Sequence, residues 1–116
     1  MYKRQGLVCK GDVVKKLWEC KTLKAGKTHN AATICQHVRC MDNGKLKRKH
    51  KFYGQVQLGM VLTSIDVCDF TLYCIGSDEI HTECVTLNEK FCIEMLDALA
   101  HVFFKKILPW LVKHAE

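Results

Sequence analysis

Proline is almost absent from this chain: Pro109 is the only one in 116 residues. Glycine is sparse as well, at 7. No Pro-, Gly- or Ser-rich stretch therefore divides the chain, and it reads as one domain over residues 1–116. No apolar run approaches the ~18–20 residues a membrane span takes, which excludes a spanning helix as the reading of any segment. The opening residues Met1-Tyr2-Lys3-Arg4-Gln5-Gly6 are charged and lack the apolar stretch of a secretory signal, so the chain reads as intracellular and not secreted. Internal repeats and low-complexity tracts are lacking too.

Cysteine, by contrast, is plentiful, with 8 residues. Without a secretory signal, and with Cys68, Cys74 and Cys92 inside strongly apolar segments, these read as reduced, buried small hydrophobes. A hydrophobic fraction of 48% supports a real core. Net charge is +6, from 18 Lys and Arg against 12 acids. The excess is local. Lys45, Lys47, Arg48, Lys49 and Lys51 cluster around His50, and Lys10, Lys15, Lys16, Lys21, Lys24 and Lys27 add an N-terminal contribution. A polyanion such as a nucleic acid is the expected partner of that surface, against the plain reading of a solvated, solubilising face.

Periodicity predicts a hairpin first. Leu7-Val8-Cys9 is a strand, Lys10-Gly11-Asp12 a tight turn, and Val13 to Lys21 the return strand. Residues 31–40 read as a helix or a strand, and Asp42-Asn43-Gly44 as a turn. From His50 to Leu62, Phe52, Val56, Gly59/Met60 and Thr63 recur at helical spacing. Ile65 to Ile75 and Ile80 to Val85 read as two antiparallel strands. Thr86 then reads as an N-cap, with Glu89 three residues later completing a capping box. The following helix carries Phe91, Met95, Leu99, Val102/Phe103 and Ile107 on an apolar face expected to pack in the core. Pro109 is expected to kink or end it. The order β-β-α-β-β-α is mixed α/β (α+β), a twisted mixed sheet flanked by helices.

Within the return strand, Glu19 and Lys21 are two apart and share a face, with Trp18 and Cys20 on the other. A carboxylate beside an ammonium suits metal-assisted phosphodiester cleavage, the acid holding a hard cation and the amine orienting water. A different reading, a zinc module of His29, Cys35, His37 and Cys40, lacks the paired-ligand knuckles of structural zinc sites.

The hairpin ending in Glu19-Cys20-Lys21, the helix with Tyr53-Gly54-Gln55-Val56-Gln57, the strand with Cys68-Asp69-Phe70 and the closing helix occur in an order that resembles the catalytic portion of YqaJ-type viral recombinases. These are phage and viral alkaline exonucleases of the PD-(D/E)xK, restriction-endonuclease-like fold. The resemblance implies a metal-dependent DNA nuclease of exonuclease type, active with Mg²⁺ or Mn²⁺ in DNA recombination, of viral or transposon-derived origin, nuclear or virus-associated, and homo-oligomeric by analogy.

The resemblance further implies roles for single residues. Glu19, Lys21 and Gln55 would be catalytic, and Glu19 and the Cys20 backbone carbonyl would hold the metal. Lys45, Lys47, Arg48, Lys49, Lys51 and Tyr53 would face the DNA. Relatives place a metal-binding Asp where this chain has Gln5, so Gln5 or Asp12 would have to supply the second ligand. They also carry N-terminal helices ahead of the matched portion, which implies a partial or minimal form of the domain here. The alternative is a non-catalytic nucleic-acid-binding or assembly relative that lost the first metal-binding Asp.

Overall fold

The computed structural model describes residues 2–115, with side chains from Gln5 onward. Strands β1 (Tyr2–Lys10) and β2 (Val13–Thr22) form the hairpin that the sequence predicts, with β1 longer than the predicted strand. Gly11 holds a φ of +62° at the first position of its two-residue turn, a conformation that costs glycine little. The segment from 24 to 50 wraps over the sheet with two 3₁₀ turns, Lys24–Lys27 and Ile34–Gln36, and a minute hairpin, β3 (Met41–Asp42) and β4 (Lys45–Leu46). Neither a helix nor a strand forms across 31–40. The Asn30 carboxamide accepts from the backbone N–H groups of Ala32 and Thr33, and this local turn competes with either regular structure.

Helix α1 (Lys51–Thr63) follows, then strands β5 (Val67–Cys74) and β6 (Glu79–Thr86). The main sheet runs β1-β2-β5-β6. Its pairings are antiparallel except β2 with β5, which are parallel and joined through α1. The architecture is thus mixed α/β with a four-stranded mixed sheet. One core lies between the α1 face of the sheet, α1 and the wrapping segment. Phe52, Val56 and Met60 pack there against Cys68, Phe70, Leu72 and Cys74, with Ile34, Met41 and Leu46 closing the far side. Phe52, Val56 and Met60 are among the helical-period positions that the sequence marks, whereas Thr63, the last of them, is exposed.

Cys20, Cys40, Cys68, Cys74 and Cys92 are buried and all eight thiols are free, while Cys9 and Cys84 are exposed. Burial pushes the Cys68 thiol up to about 12 and that of Cys40 to about 11, so both are neutral hydrophobes at physiological pH.

Helix α2 (Glu89–Val102) is capped by Asn88, not by Thr86. The β-ladder holds Thr86 extended opposite Val67, and the Asn88 side chain accepts from the Phe91 N–H at 3.1 Å. Pro109 does not end the helix. A π turn, Phe103–Ile107, precedes α3 (Leu108–His114), so the helical path absorbs the proline, which has no N–H to donate. The expected core face of this helix is also corrected. Phe91 packs against the core, but Leu99, Val102, Phe103 and Ile107 are exposed.

Gln57 joins the two helices. Fully buried, it donates to the Thr86 carbonyl at 3.0 Å and accepts from the Asn88 N–H at 2.8 Å. The Asn88 carboxamide in turn donates to the Tyr53 hydroxyl at 3.1 Å. Gln57→Leu would strand a buried carbonyl and a buried N–H, and should cost about 2–4 kcal/mol in urea unfolding. A loss under about 1 kcal/mol would mean that this junction relaxes freely.

Candidate active site

The register of the first hairpin sets Gln5 directly opposite Glu19. The Gln5 Nε2 donates to Glu19 Oε1 at 3.2 Å. Two residues on, Lys21 Nζ lies 3.6 Å from the same oxygen and donates to Gln55 Oε1 at 2.9 Å. Three elements therefore converge: β1 brings Gln5, β2 brings Glu19 and Lys21, and the first turns of α1 bring Gln55. The parallel pairing of Glu19 with Phe70 and of Lys21 with Leu72 puts both charges on the core face of the sheet, under α1. Glu19 is 2% exposed and Lys21 1%. Buried charges persist only when paired and hydrogen-bonded, and these are. The Lys21 ammonium also stands 4.3 Å from the Phe52 ring centroid. A cleft of about 270 Å³ opens beside Glu19 and Gln55, lined also by Gly6, Leu17, Trp18 and Gly59.

The sequence-predicted set Glu19, Lys21 and Gln55 is thus brought together, with Gln5 as its fourth member. The Cys20 carbonyl belongs to the strand between Glu19 and Lys21, and the Cys20 thiol is buried. Asp12 is not part of the cluster. It is exposed at the hairpin tip, seven residues along β2 from Glu19, on the order of 23 Å at strand rise.

Gln55 and Gln57, two apart on a helix, face different ways: Gln55 meets Lys21 and Gln57 the helix junction. Sequence reasoning assigned only the first. The buried polar character of Gln57 leaves no signal in the pattern, because an exposed glutamine looks the same.

These donors do not fit a resident divalent ion. Both an amide N–H and an ammonium face Glu19 Oε1, where a cation needs oxygen lone pairs. The four side chains Gln5, Glu19, Lys21 and Gln55 sum to no net charge. Among the described residues, no three His, Cys, Asp or Glu side chains lie close enough together to hold a metal. That applies equally to the zinc reading: His29 and His37 stack ring on ring at 3.6 Å, and the Cys40 thiol is neutral.

Lys45, Lys47, Arg48, Lys49 and Lys51 are all exposed, and the first four line one hollow with Asp42 and Asn43. Lys51 Nζ lies 5.8 Å from the Phe52 ring centroid, so the basic run ends at the ring that Lys21 also contacts. Tyr53 belongs elsewhere, a correction to its expected place on the DNA face. Its ring is buried edge-on against Phe91 and its hydroxyl is bonded to Asn88, because the residues that follow the exposed Lys51 turn, with Phe52, into the core. Of the N-terminal basic residues, Lys21 is buried and Lys16 is held by Asp69 at 2.5 Å, which removes both from the free basic surface.

His50 caps α1, its Nδ1 accepting from the Phe52 N–H at 3.1 Å. Burial, with repulsion from Lys51, Lys47 and Lys21, holds its pKa below the ordinary 6.5. The folded value lies below the unfolded one, so the cap's stabilisation is present above about pH 6.5 and is lost as pH falls through the folded value. Its size should be about 1 kcal/mol. His50→Asn, which keeps a cap without a titrating ring, should remove this part of the pH dependence between pH 7.5 and pH 5. Identical slopes for the two proteins would refute the assignment.

Comparison of the chain with protein-family models, with curated proteins and with solved structures returned no match.

Proposed function

We propose that this chain is a DNA-binding, nuclease-like domain of the PD-(D/E)xK type whose hydrolytic site is retained in outline and impaired at Gln5. The observation that carries this reading is the facing pair Gln5 and Glu19, with Lys21 bonded to Gln55 from the next helix. An acid, a lysine and a helix glutamine stand together as the resemblance implies, and an amide stands where that family has its second acid. Gln55, which lines the cleft, is suited to contact a phosphate oxygen there with the buried Lys21 bonded behind it, and the exposed Lys45–Lys51 run to neutralise the flanking backbone.

Binding of a labelled linear duplex, followed by fluorescence anisotropy across a salt series, tests the DNA reading. The slope of log K against log salt should be about −3 to −4. The triple variant Lys47→Ala/Arg48→Ala/Lys49→Ala should flatten it by about 3. An unchanged slope, or no binding at low salt, would reject DNA as the partner. A second reading, a working Mg²⁺- or Mn²⁺-dependent exonuclease, has the Lys21–Gln55 contact at 2.9 Å in its favour but requires the Gln5 amide to turn away from Glu19 Oε1 before an ion can reach it. Metal-dependent shortening of the duplex by the unaltered chain, lost in Glu19→Ala, would select it over the impaired form.

A further inference from the structure

Helix α2, the π turn and α3 follow one helical path from Glu89 to His114, about 39 Å at helical rise. Phe91 and Cys92 anchor its start, and every residue from Leu96 to Ala115 is exposed. The far half is nonetheless strongly apolar. Phe103, Phe104, Ile107, Leu108, Trp110 and Leu111 are between 37% and 62% exposed. Large apolar side chains gathered on one solvent-facing segment mark a contact surface.

The charges of that half say what it contacts. At helical periodicity Lys105, Lys106 and Lys113 fall within an arc of about 100°, and Phe103, Phe104, Ile107, Leu108 and Leu111 lie on the opposite side. Trp110 borders the lysines, its indole stacked on His114 at 4.3 Å. No acid stands between Asp97 and Ala115, so the three lysines give this half a charge of +3 with His101 and His114 neutral. The acids Glu89, Glu94 and Asp97, with Lys90, are confined to the first half. An acidic protein groove would have to meet lysines and apolar side chains on one face. Here they stand on opposite sides, which suits a layered partner with negative charge above and hydrocarbon below. We propose that residues 102–114 lie along the surface of an anionic phospholipid membrane. Phe103, Phe104, Ile107, Leu108 and Leu111 enter the acyl boundary, Trp110 sits at headgroup level and the lysines reach the lipid phosphates. Among the described residues no helix is long and apolar enough to cross a membrane, so the segment rests on the bilayer and does not span it. The surface is separate from the Lys45–Lys51 run, and the proposal is independent of whether the chain binds DNA.

Co-sedimentation of the full chain with phosphatidylcholine vesicles, with and without roughly one-third phosphatidylserine, tests it. Binding to the anionic vesicles should be about a hundredfold tighter than to the neutral ones. In a Trp18→Phe background, where Trp110 is the remaining tryptophan, emission should shift to the blue on binding. Phe104→Glu/Ile107→Glu should weaken binding at least about thirtyfold and abolish that shift. Both residues lie outside the core, so the far-UV spectrum should be kept. Lys105→Gln/Lys106→Gln should weaken binding to the anionic vesicles about thirtyfold. The triple variant Lys47→Ala/Arg48→Ala/Lys49→Ala should keep the Trp110 shift. No vesicle binding, equal binding to neutral and anionic vesicles, or indifference to Phe104→Glu/Ile107→Glu would each overturn the proposal. So would loss of the shift in the triple variant, since the attraction would then belong to the other basic run.

Discussion

Gln5→Asp is expected to create a divalent-cation site that the unaltered chain lacks. The substitution replaces an N–H donor, 3.2 Å from Glu19 Oε1, by a second carboxylate at a position whose register is already set by the hairpin. Two facing carboxylates repel, so the metal-free variant should lose stability. Mn²⁺ should then restore it, since an ion that binds only the folded state stabilises by about 2.7 kcal/mol at a hundred times its dissociation constant. Calorimetry should show Mn²⁺ affinity at least about tenfold above that of the parent, and Glu19→Ala in the Gln5→Asp background should abolish it. Shortening of linear duplex DNA should appear with the metal. Equal, Glu19-dependent Mn²⁺ binding by the parent would show that Gln5 does not impair the site at all.

Removing the Lys21 ammonium should be the most damaging single change to stability. Lys21→Met keeps the aliphatic stem but takes a positive charge from beside a carboxylate that is itself 2% exposed. It also removes the donor to Gln55 and the contact with the Phe52 ring. Breaking a buried pair from one side costs about 3–5 kcal/mol, because the surviving charge stays in a poor solvent for it. Removing both charges is far milder, so Glu19→Gln/Lys21→Met should recover most of the loss. Urea unfolding of the parent, the two single variants and the double variant measures the coupling directly. A Lys21→Met loss below about 1 kcal/mol would mean that the pair is effectively solvated and that its burial carries no energetic weight.

Much of the site was legible because strand geometry is short-range. Alternation put Glu19 and Lys21 on one face, and the structure keeps them there, 3.6 Å apart. Helical periodicity marked Phe52, Val56 and Met60, all buried, and also Thr63, which is exposed at the end of α1. Gln55 was reached through the resemblance alone, since no local rule separates it from Gln57, and only the packing of α1 assigns one to Lys21 and the other to Asn88. Tyr53 was misplaced for the same reason. An aromatic hydroxyl beside a basic run has the composition of a phosphate contact, yet the rotation of α1 carries it inward to Phe91. The capping box at Thr86 satisfied its pattern and still lost to the ladder that extends Thr86 and to the stronger cap two residues later.

The sequence by itself determined the order of the main strands and helices outside residues 24–50, the hairpin turn at Gly11-Asp12, the free cysteines of the core and the basic character of residues 45–51. Each follows from residue type and from neighbours a few positions away, through allowed dihedrals, side-chain period and charge. Only the tertiary structure decided that Gln5 meets Glu19 across the hairpin, that Lys21 lies buried against Gln55, that Gln57 ties α1 to α2, and that the closing helix leaves its apolar stripe uncovered. Those are relations between residues 14 to 35 positions apart or more, set by strand register and by which helix face turns to the sheet. Local preferences leave such relations undetermined, because the same patterns permit several registers and rotations until packing selects one.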